Sequence, residues 1–242
     1  LSLPALRAAD GYLNNDPNHR DKTFFCFDEK HGHRAGEATA NGVLKLDREI
    51  AEAVKADGAK AALGFGFLDS QQAFYDGYSL NASEGEWAKR RYLDPFTPVI
   101  ARAEVRRARR DMNQALLNRF NIAFDLNFHG SQLKDYPHIA EYGRRIKALR
   151  ERYAAEIWNA EFVERQGAQV NGPDLSYSVF AGRNGKRAVV VVNMGTERAS
   201  KAEVTLPGAS AMAYASPEDP AQKTFGGSVE IAPQSAVVIF EK

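Results

Sequence analysis

The sequence predicts an α/β architecture over residues 1–162 followed by an all-β architecture over residues 163–242. Through residue 160, short apolar runs alternate with amphipathic stripes as strand, loop and helix, repeated about four times, which is how parallel strands covered by helices read. After Phe162 the hydrophobic period shortens to two, Gly and Pro punctuate the runs, and no helical stripe recurs. Asn184-Gly185 between two apolar runs adds a strong hairpin-turn signal.

The totals narrow the function classes. The 242 residues suffice for one large domain or two smaller ones, and 44% hydrophobic with 26% charged is ordinary for a globular protein. Lys and Arg number 32 against 31 Asp and Glu, so no charge excess points to nucleic acid or to an anionic membrane. A single cysteine rules out an internal disulfide framework and leaves the compartment open, cytoplasmic or exported. No apolar run is long enough to cross a bilayer and no signal-peptide pattern is present, which predicts a soluble chain. The start at Leu1 predicts a processed product or part of a longer polypeptide.

Residues 1–22 are rich in turn signals such as Asn14-Asn15-Asp16-Pro17, with Gly11-Tyr12-Leu13 as a short strand end. Thr23–Phe27 reads as a buried strand that opens into the polar loop Asp28–Gly36, the way an α/β sheet delivers titratable groups to a site. Leu46, Ile50, Ala53 and Val54 recur at helical spacing after Asp47, and Gly58 suits the helix end. Ala61–Phe67 is a second strand with a polar loop from Asp69, and Glu86–Leu93 is a short helix stopped by Pro95. Pro98–Ala101 is a third strand, and Val105, Ala108, Met112, Leu116 and Phe120 form the stripe of the next helix. Ile122–Asn127 is a fourth strand ending in polar groups at Asp125, Asn127 and His129. A long helix follows Pro137, with Ile139, Tyr142, Ile146, Leu149 and Tyr153 on one face.

Beyond residue 162 the predicted strands are Leu175–Gly182, Lys186–Asn193, Ala202–Leu206, Ala211–Ala215, Ser228–Ala232 and Ala236–Phe240, an antiparallel β-sandwich. A complete eight-unit barrel needs roughly 200–250 residues, so the α/β part has room for about half of a (β/α)8 barrel. Half a barrel leaves parallel strands unpaired at its edges. A segment outside this chain, or a partner chain, is therefore expected to complete the sheet.

Cys26-Phe27-Asp28-Glu29-Lys30-His31-Gly32-His33-Arg34-Ala35-Gly36 resembles the C-Y-D-x-x-H-G-H-x-x-G pattern of a poorly characterised group of barrel proteins related to glycoside hydrolases. Asp10-Gly11-Tyr12-Leu13, Arg91-Tyr92-Leu93-Asp94-Pro95, Asn113-Gln114-Ala115-Leu116-Leu117, Phe128-His129-Gly130 and Tyr142-Gly143 resemble other segments of that group in the same order. So do the Leu149-Arg150-x-x-Tyr153 run ending near Trp158 and the tail through Ser228–Pro233. The resemblance implies the second half of a TIM-type barrel over residues 1–162 and an accessory β-sandwich over 163–242. Asn14 stands where these relatives tend to carry Asp, and Gly64-Phe65-Gly66 where they tend to carry Gly-Glu-Gly.

Glycoside hydrolysis uses two carboxyl groups, about 5–5.5 Å apart for retention or about 6.5–9.5 Å for inversion. The catalytic candidates at strand ends are Asp28, Asp69 and Asp125, with Asp28 best placed directly after an apolar run. Asp28 and Glu29 can alternatively cap a loop or pair with Lys30 or Arg34. His31 and His33, with Glu29, Asn127 and His129, suit hydrogen bonds to sugar hydroxyls, and Trp87 suits stacking on a sugar face. A metal site at His31 and His33 needs further ligands such as Glu37, Cys26 or His129, and an H-x-H pair alone is a weak metal signal. No metal and no cofactor is assigned. The basic run Arg102–Arg110 carries an apolar stripe and reads as a solvated helix face rather than a nucleic-acid site. Gly64-x-Gly66 lacks the third glycine of a dinucleotide fingerprint, and no serine nucleophile elbow is present.

The reading is a carbohydrate-active protein, a glycoside hydrolase acting on an oligosaccharide or glycoside. The alternative is a sugar-binding or scaffold protein that has lost catalytic carboxylates at Asn14 and Phe65, and a metal-dependent hydrolase ranks third.

Overall fold

The computed structural model describes residues 25–28, 30, 32, 34–60, 62–63, 74–80, 91–92, 95–126 and 132–242. The chain divides into two compact units, Leu1–Asn81 and Ala82–Lys242. Among the described residues no helix is long and apolar enough to cross a membrane.

In the first unit, β1 (Phe25–Cys26) pairs antiparallel with β2 (Glu37–Ala38). The apolar run at residues 23–27 was expected to be a parallel strand, and its described part closes a hairpin instead. Gly32 and Gly36 explain the reversal: both sit at φ +80, where a Cβ is strained, and let the intervening loop fold back. Helix α1 (Thr39–Ala56) begins before Asp47, drawing TANGVLKL into its first turns. It ends in a Schellman motif: Gly58 at φ +76 donates to Lys55 O (2.9 Å), and Ala59 donates to Val54 O (3.3 Å). Strands β3 (Ala62–Leu63) and β4 (Gly77–Leu80) pair in parallel. The loop before β4 is tied to α1 by Tyr75, whose hydroxyl donates to Asp47 Oδ1 at 3.1 Å. Burial, then the Asp47 carboxylate, push the Tyr75 phenol up.

The second unit opens with β5 (Val99–Glu104) and β6 (Asn121–Asp125), parallel strands joined through α2 (Ala108–Leu117). Along β5, Val99, Ala101 and Ala103 are buried while Ile100 and Arg102 are half-buried and Glu104 exposed, the period-2 pattern of a strand with two unlike faces. The small Ala103 joins Ala108, Met112 and Leu116 of α2 in one core with Ile122 and Phe124 of β6 packed against it. Helix α3 (Pro137–Arg152) buries Ile139, Tyr142, Ile146 and Leu149, and Tyr153 follows them inside, the face its spacing predicts. Gly143 lets α3 come close, since a Cβ there would lie 3.0 Å from Phe124 Cζ.

All later strands pair antiparallel. Six of them, β7 (Glu161–Phe162), β9 (Leu175–Ala181), β10 (Arg187–Asn193), β12 (Met212–Ala215), β13 (Lys223–Thr224) and β15 (Ala236–Glu241), form a sheet in the order β13-β12-β15-β10-β9-β7. A smaller sheet has β11 (Ser200–Thr205) between β14 (Ser228–Ile231) and β8 (Gln169–Asn171). Ala188, Val190 and Val192 of β10 face the core shared with α2 and α3. Val189 and Val191 face the core shared with Ala202, Val204 and Ile231 of the smaller sheet. Burial on both faces explains the unbroken valine run. The Asn184-Gly185 turn joins β9 to β10 as its sequence predicts, with Gly185 at φ +77 and Gly182 donating to Lys186 O at 2.8 Å.

Arg187 fastens the start of β10. Its guanidinium reaches Glu241 Oε1 (2.7 Å) and the carbonyls of Gly167 and Pro207, while its backbone N–H donates to Glu241 Oε2 (2.6 Å). Burial raises the Glu241 pKa, but the Arg187 bonds and charge outweigh it and hold the carboxyl below its ordinary value. A depressed native pKa stabilises above the unfolded value, near 4.3, and that stability is lost as pH falls through the native one. Glu241→Gln is expected to cost about 1 kcal/mol near pH 7, and that cost is expected to shrink as pH falls below about 4.3 in urea melts. Gly172 at φ +146 admits no side chain, because a Cβ would overlap the Lys201 backbone oxygen and meet Leu175 Cδ1 at 2.5 Å. Gly172→Ala is expected to destabilise by about 2 kcal/mol or more in the same assay.

Candidate active site

The carboxyl ends of β5 and β6 gather charged groups. Register sets Asp125 across from Glu104 at the last paired position of the two strands. Immediately after β5 the chain makes a short 3-10 turn, Val105–Arg107, and enters α2, whose first turn carries Asp111. Asp111 Oδ2 accepts the Glu104 backbone N–H at 2.9 Å and Arg107 Nε at 3.2 Å. Arg107 Nη2 also donates to Glu104 Oε1 at 3.2 Å. One arginine therefore bridges a buried and an exposed carboxylate, the Asp111 side chain being 6% exposed and that of Glu104 53%. Burial pushes the Asp111 carboxyl up, opposed by the Glu104 N–H and by Arg107. Asp111 positions: it closes the strand-to-helix turn and holds Arg107 beside Glu104.

Glu104, Arg107 and Asp111 were absent from the site read in the sequence. In the structure Val99 to Glu104 alternates buried and less buried residues, and the strand runs past Ala101 to end at Glu104. Of the basic run read as a helix face, Arg102 is half-buried on β5, whereas Arg106, Arg109 and Arg110 are exposed, and Arg109 pairs with Glu218 at 2.6 Å while lying 4.0 Å over the Tyr142 ring.

Of the sequence-derived candidates, Asp125 ends β6. Asp28 is exposed in the first unit, and its Oδ1 accepts the Lys30 backbone N–H at 3.0 Å, a loop-capping bond. Asp69, Glu29, His31, His33, Asn127, His129 and Trp87 lie outside the described residues, as do Asn14 and Phe65. Cys26 and Glu37, weighed as metal ligands, are partners across the β1–β2 hairpin. Among the described residues no three His, Cys, Asp or Glu side chains cluster to hold a metal ion. The Asn113-Gln114-Ala115-Leu116-Leu117 segment is interior: Asn113 accepts the Tyr142 hydroxyl (2.6 Å) and donates to Gln234 O (2.8 Å). Arg91 is likewise buried and donates to the carbonyls of Asn118, Pro95, Thr97 and Arg119.

Solved structures resemble this chain in fold. A variant of a family 27 β-L-arabinopyranosidase from Geobacillus stearothermophilus, in complex with arabinose, superposes with a TM-score of 0.50 at 12% identity over 82% of this chain and 54% of its own. The fold is glycoside-hydrolase-like. An endo-β1,6-glucanase matches with a TM-score of 0.41 at 13% identity over 82% of this chain and 53% of its own. The catalytic domain of a family 30 xylanase from Talaromyces cellulolyticus matches with a TM-score of 0.42 at 11% identity, over 87% and 60%. The chain spans little more than half the length of these relatives. No protein-family model matches the sequence, and neither does any curated protein.

Asp111→Ala is expected to cost about 1–3 kcal/mol in urea unfolding, since it strips the Glu104 N–H of its acceptor and Arg107 of one partner.

Proposed function

We propose that this chain is part of a glycoside hydrolase that cleaves a glycosidic bond with carboxyl groups at the carboxyl ends of its parallel strands. The observation that carries this reading is Glu104 and Asp125 in register at the ends of β5 and β6. α/β barrels gather their reacting groups at that end of the strands. Neighbouring strands lie about 4.8 Å apart, and glycosidases use carboxyl pairs roughly 5–9.5 Å apart, so paired positions on adjacent strand ends suit such a pair. The glycoside-hydrolase-like fold supports the class, and a structural relative that holds arabinose fits a sugar substrate.

In this reading residues 1–162 are the second half of a TIM-type barrel and 163–242 an accessory β-sandwich. A barrel-completing segment, from the same polypeptide or a partner chain, supplies the remaining strands. Asp28 and Asp69 are further candidate carboxylates, and Glu29, His31, His33, Asn127, His129 and Trp87 are candidate substrate contacts. Arg107 would restrain Glu104 until substrate displaces one of its bonds.

A panel of aryl glycosides tests the proposal on the protein at its natural length. Turnover is expected, with kcat falling at least about 10²-fold in Glu104→Gln and Asp125→Asn while the melting temperature holds. Sugar binding without turnover on any member of the panel would reject hydrolysis in favour of a binding protein.

A further inference from the structure

A cavity of about 630 Å3 opens at the amino ends of β5 and β6, the end opposite Glu104 and Asp125. Its wall combines the residues before β5, the α2–β6 turn, the turn after α3 and the tip of the β9–β10 hairpin. Three arginines, Arg91, Arg119 and Arg183, line it, and the described lining residues include no Asp or Glu. Arg91 spends its guanidinium on backbone carbonyls. Arg119 and Arg183 form no ion pair among the described residues.

Arg119 is 5% exposed, and its Nη1 donates to the carbonyls of Trp158 and Ala160. A buried cation held by neutral carbonyls and by the Phe96 ring, whose centroid lies 5.5 Å from the guanidinium, is costly until a counter-ion arrives. Burial accordingly pulls the Arg119 pKa down. Arg119 also occupies the left-handed position that closes α2, at φ 54, with Arg119 N–H donating to Leu116 O and Phe120 N–H to Ala115 O. Glycine fits that position without strain, so the arginine is held there at a conformational cost of about 1 kcal/mol.

A further cation stands beside the cavity. Arg150 lies 4.7 Å over the indole of Trp158, a lining residue, and its Nε and Nη2 are buried without a hydrogen-bond partner. Trp158 offers an aromatic wall, and Phe96, 62% exposed, is a second ring in the lining. The asparagine amides in the wall, Asn184 among them, supply donors and acceptors suited to hydroxyl groups. The volume falls within the about 300–1,000 Å3 range of small-molecule sites.

We infer that this cavity is a second ligand site, distinct from the strand-end carboxylates, that takes a sugar bearing a carboxylate or phosphate group. Arg119 and Arg183 hold the anion, and Trp158 packs against the ring. The inference stands on this cavity alone and does not depend on hydrolysis at the other end of the strands.

Calorimetric titration at low ionic strength with glucuronate, glucose 6-phosphate and glucose tests it. At least one charged sugar is expected to bind about tenfold or more tightly than glucose, and binding is expected to weaken with added salt. The better of the two charged sugars identifies carboxylate or phosphate as the anion. Arg183 is exposed, so Arg183→Glu is expected to keep the parent melting temperature and weaken that binding at least tenfold. Equal affinity for glucose and both charged sugars, no binding of any of them, or parent affinity in Arg183→Glu would each overturn the inference. The readout is binding at the amino ends, so its failure and a failure of glycoside turnover are separate results.

Discussion

The central constraint in the second unit is that β10 must be buried on both sides. Its valines feed two cores at once, one reaching α2 and α3 and the other reaching the smaller sheet. Each fully buried valine contributes about 1.5–3 kcal/mol, so Val189 to Val192 together outweigh any single ion pair in the unit. Helices and strands here are not independent layers. Removing either would uncover one face of a strand with no polar residue between Ala188 and Val192.

That shared core sets the height of the βαβ unit. Alanines on β5 bring α2 close, and Gly143 brings α3 close to Phe124. A buried polar chain then fixes the helices on the β sheets: Tyr142 to Asn113, Asn113 to Gln234 O, and Tyr153 to Pro220 O at 2.9 Å. Neutral partners suit the interior, because each donor and acceptor is satisfied without the desolvation cost of charge. Burial, the largest influence, and the nearby Glu218 carboxylate push the Tyr142 phenol up, which keeps it a donor to Asn113. Charges are thereby left for the strand ends.

How much of this was legible in the sequence depended on whether local and tertiary preferences agreed. The β9–β10 hairpin was legible because valine runs and Asn-Gly both favour it. The buried face of α3 was legible because its apolar residues recur at helical spacing. The end of β5 was not, since Ala-Arg-Ala-Glu is made of good helix formers and sheet pairing, with β6 among its partners, holds it extended. Missing that strand end meant missing Glu104, and with it the bridge through Arg107 to Asp111. The run at Phe25–Cys26 announced a strand but carried no information on its partner or direction, which glycines at positive φ decided. The cavity beside Trp158 left no pattern, because Arg91, Arg119 and Arg183 lie far apart in the chain.

The valine run carries a hazard of its own. In most strands a slip of one residue exposes the apolar set, and that penalty keeps neighbours aligned. Sliding β10 by one place merely exchanges valine for valine, so greasiness cannot tell the right alignment from the wrong one. The end stops are polar: Arg187 clamps one terminus, and at the other Asn193 donates to Arg198 O and Ile231 O and accepts from the Gly195 N–H. Two hydrophilic bolts thus choose the alignment of the most hydrophobic rail in the molecule.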